Sequence, residues 1–199
     1  MQVIRSFVRE VVQAYKQKDK SAICDLISLD SSSGRVEQLS QVLYDMTEES
    51  IRSTVAADCE SLDAPRPLKD LITNYLIFTI ASCLDTSDLA DIYELLSFLG
   101  LYTAFDAQWL TPLMMNISYS LVDWATLADK ENPNAKELKV SDAAAKHLSR
   151  AFNVVISDKM SNDLKDSKKM ALYYLANLTF RVYFKASLSF FCRSFQETF

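Results

Sequence analysis

The side chains able to carry chemistry are few: one histidine, His147, four cysteines and some close-set carboxylates. Nucleophilic catalysis needs a base within hydrogen-bond reach of the nucleophile. His147 is the single imidazole, and its neighbours Lys146, Leu148 and Ser149 form no catalytic pattern. It reads as a histidine on a helix surface or in a helix contact. Cys24, Cys59, Cys83 and Cys192 lie far apart and no second histidine stands at ligand spacing, which argues against a zinc site. Reduced thiols packed as small apolar groups account for them. Glu48-Glu49 and Asp85, Asp88 and Asp91 fall at expected helix starts, where capping and the helix macrodipole explain acidic residues without a metal. Neither Gly34 nor Gly100 sits in a phosphate-binding loop followed by Lys-Ser or Lys-Thr, which excludes nucleotide hydrolysis of that type. No catalytic, cofactor-binding or metal-binding residue is expected, and no cofactor.

The one stretch that suggests a ligand is DLKDSKKMALYYLANLTFRVYFK, Asp163 to Lys185, where aromatics are crowded between basic residues. The chain is acidic overall, with a formal charge of −5, so any attraction to nucleic acid must be local. Lys165, Lys168, Lys169, Arg181 and Lys185 are the candidates for contact with a phosphate backbone or a protein partner. A stacking platform also needs aromatics exposed beside such charges. Tyr173, Tyr174, Phe180, Tyr183 and Phe184 share helix spacing with Leu172, Leu175, Ala176 and Leu178, so most are expected in the core. On that reading the stretch is a helix from Ser167 to Lys185 with a solvated charged rim.

Helices must position these groups, because two glycines and four prolines in 199 residues are too few turn formers for many short strands. The expected class is all-α. Val3, Ile4, Phe7, Val8, Val11, Val12 and Tyr15 recur on one face of a first helix. Ser21 is placed to cap a second helix carrying Ile23, Leu26 and Ile27, and LDSSSGR then breaks the pattern. Val36, Leu39, Val42, Leu43 and Met46 mark a third, and Thr47 caps a fourth through Ile51, Val55 and Cys59. Pro65 and Pro67 stop that helix and preset the next at Leu68. That next helix is apolar nearly all round. It falls short of the roughly 20 apolar residues a bilayer needs and carries Lys69, Asp70 and Asn74, so a central packed helix is expected and no membrane insertion.

Thr86 and Ser87 are placed to cap DLADIYELLSFL, with Gly100 supplying a positive φ at its end. A helix follows in which Pro112 is tolerable only in the first turn. Beyond the polar loop DKENPNAKELK, Ser141 and Asp142 start a helix striped by Ala144, Leu148, Ala151, Phe152 and Val155. The whole reads as stacked antiparallel helix pairs, an irregular solenoid resembling TPR or HEAT arrays. Residues 1–199 form one helical-repeat domain, with N-terminal helices over 1–62 and helix-pair repeats over 68–199. The last segment carries Phe190, Phe191, Phe195 and Phe199, an apolar end expected to face a partner because a capping repeat would be more polar.

WLTPLM (Trp109–Met114), AFNVVISD (Ala151–Asp158), DSKKMALYYLANLTFRVYFK (Asp166–Lys185) and the Phe-Cys-Arg segment Phe191–Arg193 keep an order and spacing of their own. In these the chain resembles the N-terminal half of the PCI-domain subunit of the nuclear mRNA export complex TREX-two. It is similar also to that subunit's paralogue, a signalosome-like PCI protein acting in transcription elongation or splicing. The resemblance implies helical repeats that precede a winged helix, with this chain ending before the winged helix. It implies a non-enzymatic nuclear scaffold, associated with the nuclear pore, that couples transcription to mRNA export. The implied partners are a large nuclear PCI scaffold subunit of the GANP type, a small acidic DSS-type protein, and RNA or DNA through the complete complex.

Overall fold

A computed structural model describes residues 2–29, 34–84, 89–100, 108–131, 139–156 and 170–184, and every regular element among them is helical. In chain order these are α1 (Gln2–Lys16), α2 (Lys20–Leu26), α3 (Gly34–Leu43), α4 (Glu48–Ser61), α5 (Arg66–Cys83) and α6 (Leu89–Glu94). Then come a 3₁₀ segment (Leu95–Gly100), a 3₁₀ turn (Gln108–Leu110), α7 (Thr111–Glu131), α8 (Lys139–Ile156) and α9 over 170–184. The elements stack as helix pairs, α1 with α2, α4 with α5 and α7 with α8.

α1 forms as its stripe requires, burying Ile4, Phe7, Val8, Val11 and Val12, while Val3 stays at the exposed edge. α5 is the central element, touching α1, α3, α4, α6 and the 3₁₀ segment. Its apolar circumference is thereby used, with Leu68, Leu71, Ile72, Tyr75 and Leu76 all buried. No helix among the described residues is long and apolar enough to cross a membrane. Specific contacts fix the stacking. Phe7 of α1 stacks on Tyr75 with ring centroids 5.6 Å apart, and the Tyr75 hydroxyl donates to the Ser28 carbonyl at 2.9 Å. Asn74 Nδ2 donates to the Glu94 carbonyl at 3.0 Å, satisfying an orphan acceptor where α6 passes into 3₁₀ geometry. Buried side chains from Ile4 to Val182 make one continuous cluster.

Several local starts differ from the sequence reading. Thr47 does cap α4, its Oγ1 accepting from the Ser50 N–H. Asp19, not Ser21, caps α2, its carboxylate accepting from the N–H groups of Ser21 and Ala22. A charged acceptor two residues upstream serves two orphan donors at once. α5 begins at Arg66, ahead of Leu68, because Pro65 is its N-cap and Pro67 fits the first turn, where no N–H is needed. The expected helix DLADIYELLSFL is split into α6 and the 3₁₀ segment, and no glycine among the described residues has a positive φ. Ser141 lies inside α8 and donates: both its N–H (3.1 Å) and its hydroxyl bond to Asp129 Oδ2 at the end of α7. Thr86, Ser87 and most of the DKENPNAKELK loop lie outside the described residues.

Candidate interaction surface

α9 carries two stripes at heptad-like spacing. Ala171, Leu175, Leu178 and Val182 are buried. Met170, Tyr173, Asn177, Phe180 and Phe184 follow the same 3-4 spacing on the other side, where Met170 is 67% exposed, Tyr173 70%, Phe180 73% and Phe184 68%. This corrects the expectation of a core role for Tyr173, Phe180, Tyr183 and Phe184, whereas Tyr174 packs partly buried against the core as expected. The small aliphatics hold α9 there. They are buried in the same cluster as Ala144, Ala145, Leu148, Ala151 and Val155 of α8, and short side chains allow closer helix approach than rings would. The aromatic stripe is left outward.

α9 lies across α7 and α8. Arg181 Nη1 donates to the Tyr119 hydroxyl of α7 at 3.0 Å, and its guanidinium carbon lies 5.1 Å from the Tyr119 ring centroid. Tyr183 is near enough to Lys146 of α8 to act on its charge. Lys146 is held above the usual lysine range, first through its hydrogen bond with Asp142. Burial pushes the Tyr174 phenol up, with Tyr119 acting in the same direction and Arg181 opposing. A groove of about 490 Å³ runs between Tyr119, Tyr174, Asn177, Phe180, Arg181 and Phe184. A second, of about 450 Å³, shares Tyr119 and Tyr174 and continues past Asn116 and Met115 to Cys24 and Ser28 of the α2 end. Rings, one amide and a guanidinium already bonded to Tyr119 suit the burial of apolar groups and not acid–base work.

Of the residues singled out in the sequence for nucleic-acid or partner contact, Arg181 is on this groove, exposed beside exposed rings. Lys165, Lys168, Lys169 and Lys185 lie outside the described residues, as do Phe190, Phe191, Phe195 and Phe199. Sequence reasoning missed Tyr119 and Tyr174 as groove walls. It had a signal for the exposed stripe: the 170, 173, 177, 180, 184 register is distinct from 171, 175, 178, 182. The other chemical candidates have structural roles. His147 packs on Tyr93, ring centroids 4.3 Å apart. Glu48 pairs with Arg52 one turn on, at 2.6 Å. Among the described residues no three histidine, cysteine or acidic side chains gather as a metal site, and Cys24 and Cys59 are free thiols.

Against known proteins, this chain is similar to a PCI domain-containing protein of Schizosaccharomyces pombe, 24% identical over 209 residues that cover 97% of this chain and 46% of the relative. PCI domain-containing protein 2 of Danio rerio is 28% identical over 68% of this chain and 35% of its own length. PCI domain-containing protein 2 of Xenopus laevis is 34% identical over 49% of this chain and 25% of its own length. The chain thus spans less than half the length of these relatives. No family profile and no solved structure matches it.

Proposed function

We propose that this chain is the helical-repeat portion of a PCI-type protein and acts as a non-enzymatic scaffold subunit of a nuclear complex coupling transcription to mRNA export. The observation that carries the reading is the similarity, across nearly the whole chain, to a protein named for a PCI domain. The stacked helix pairs support it, since such arrays offer extended surfaces for other proteins. The ordered motifs from Trp109 to Arg193 point to the export complex and its signalosome-like paralogue. The partners are then a large nuclear PCI scaffold subunit and a small acidic DSS-type protein, at the nuclear pore. Mass spectrometry of proteins co-purified with the tagged endogenous protein tests this. Recovery of those two partners supports it, whereas recovery of a signalosome-type large subunit transfers the chain to the paralogous complex.

A second reading has one specific observation in its favour. The exposed rings of Phe180 and Phe184 stand beside Arg181, the arrangement single-stranded nucleic acid uses for stacking. Binding of this kind falls steeply with salt as each neutralised phosphate releases counterions. Affinity of the chain for a labelled oligonucleotide that is absent at low salt, or insensitive to salt, removes this reading.

A further inference from the structure

Met170, Tyr173, Phe180 and Phe184 stand exposed along one face of α9, broken by Asn177, which is exposed with them. Counted from Met170, these five are the a and d positions of two heptads, with the asparagine at the central a position. That is the pattern of a helix that pairs with another helix, since one Asn at an a position sets the register of the pair. The area agrees with such a use. Phe and Tyr bury about 150–250 Å² each, so four side chains about 70% exposed leave on the order of 500 Å² of apolar area uncovered. A standard interface removes about 800 Å² from each partner, a little over half of it apolar. The stripe supplies that amount. Residues 170–184 also hold one cation, Arg181, and no carboxylate, in a chain of net charge −5. Across such a face two copies of an acidic protein repel least.

We propose that the exposed stripe of α9 is the contact of a homodimer, in which a second copy of this chain lays its own α9 along the stripe and Asn177 faces its counterpart at the two-fold axis. Such a contact is isologous, the same patch serving both copies. With Asn177 facing itself, each side-chain amide donates to the oxygen of the other, which satisfies the one uncharged polar group among the rings. A free helix this short would be marginal in water. α9 is already ordered by the burial of Ala171, Leu175, Leu178 and Val182, so pairing does not have to offset that ordering. A second copy fits the stripe better than a nucleic acid does, because a phosphate backbone calls for several cations and α9 offers one, already bonded to Tyr119 at 3.0 Å. The proposal stands on the α9 face and not on the family reading, and its failure would leave the scaffold reading untouched. Its consequence is that the aromatic stripe is buried between copies instead of stacking on bases.

The test is sedimentation equilibrium of the full 199-residue chain. Interfaces of this size associate at micromolar concentration or tighter, so samples up to about 100 µM should show a monomer–dimer equilibrium. Phe180→Glu should raise the dimer Kd by about tenfold or more. Tyr44→Glu changes a ring that is 71% exposed just past α3 and should leave the Kd unchanged. Asn177→Asp and Asn177→Lys each set like charges face to face and should weaken self-association by about tenfold or more, while an equimolar mixture of the two recovers the dimer as opposite charges meet. That recovery depends on Asn177 facing its own counterpart. The substituted positions are exposed, and circular dichroism matching the unmodified chain verifies that each variant is folded. A monomer across the whole range overturns the proposal. So does a dimer that Phe180→Glu leaves intact, or a mixture of the two charge variants that stays monomeric. A monomer whose α9 gains hydrogen-exchange protection only with a single-stranded oligonucleotide gives the stripe to nucleic acid and overturns it too.

Discussion

Lys18 and Asp63 have φ of 52° and 51°, left-handed values that a Cβ disfavours. Each stands just past a helix, α1 or α4, where the chain makes a Schellman-type closure. Asp19 N–H bonds to the Ala14 carbonyl at 3.0 Å, and Ala64 N–H to the Cys59 carbonyl at 3.0 Å. Helix ends made without glycine are one reason the chain needs so few. Lys18→Gly should therefore stabilise by on the order of 1 kcal/mol, the relief of the left-handed strain less the added freedom of the unfolded chain. Asp63→Gly should give less, since aspartate tolerates this region better. Urea midpoints of the two variants measure both. Cys59 sets a pH dependence. Burial pushes its thiol from an ordinary 9.0 up to about 11, against a smaller lowering by Lys69. Below pH 9 the thiol is protonated folded or unfolded, and its packing contributes in full. Between about pH 9 and 11 the unfolded chain releases this proton first, so stability falls as pH rises. Cys59→Ala lowers stability at pH 7 but should flatten that alkaline fall, seen as a shrinking difference between the two urea midpoints from pH 8 to 10.5.

Among elements, α8 shows how a helix start can depend on a residue far along the chain. Asp129 ends α7, where a negative charge is unfavourable to its own helix, yet it bonds the Ser141 N–H and hydroxyl in the first turn of α8. Asp129→Ala should cost about 0.5–2 kcal/mol, the range for losing an N-cap. Exchange at 139–144 should rise before exchange elsewhere, and Asp129→Asn should restore part of the protection. Nothing local to Ser141 announces this partner, which is why the sequence showed only a helix starting at Ser141 and Asp142. Elements whose stripe is single were legible in the sequence: α1, α3, α4 and α8 have the apolar faces their periodicity required, and Thr47 caps as its spacing indicated. α9 was not, because it has two stripes. Periodicity identifies a face but cannot say which of two faces meets the core; in the structure it is Ala171, Leu175, Leu178 and Val182 that join the buried cluster.

At the scale of the molecule, the open question for a helix array is how far cooperativity extends. Repeat arrays are held by nearest-neighbour interfaces, and a weak interface lets one part melt before another. Here α5 touches five elements, α2 reaches α7, and Tyr15 of α1 packs on Trp109 ahead of α7 with ring centroids 5.5 Å apart. The N-terminal helices and the region of α7 are thus tied by more than one route. Leu76, on α5, is fully buried, and Leu76→Ala should destabilise by about 2–5 kcal/mol. In a Trp109→Phe background, which removes the indole packed on Tyr15 of α1, Trp124 reports on α7, away from the substitution. If the core unfolds as one unit, tryptophan fluorescence and helical circular dichroism shift together in the variant and their urea transitions remain superimposed. A fluorescence midpoint that stays in place while circular dichroism falls early would show α1–α5 melting alone. Superposition is the expected result, because removing α5 uncovers surface on α1, α3, α4 and α6 at once, and α6 in turn packs on α7 and α8.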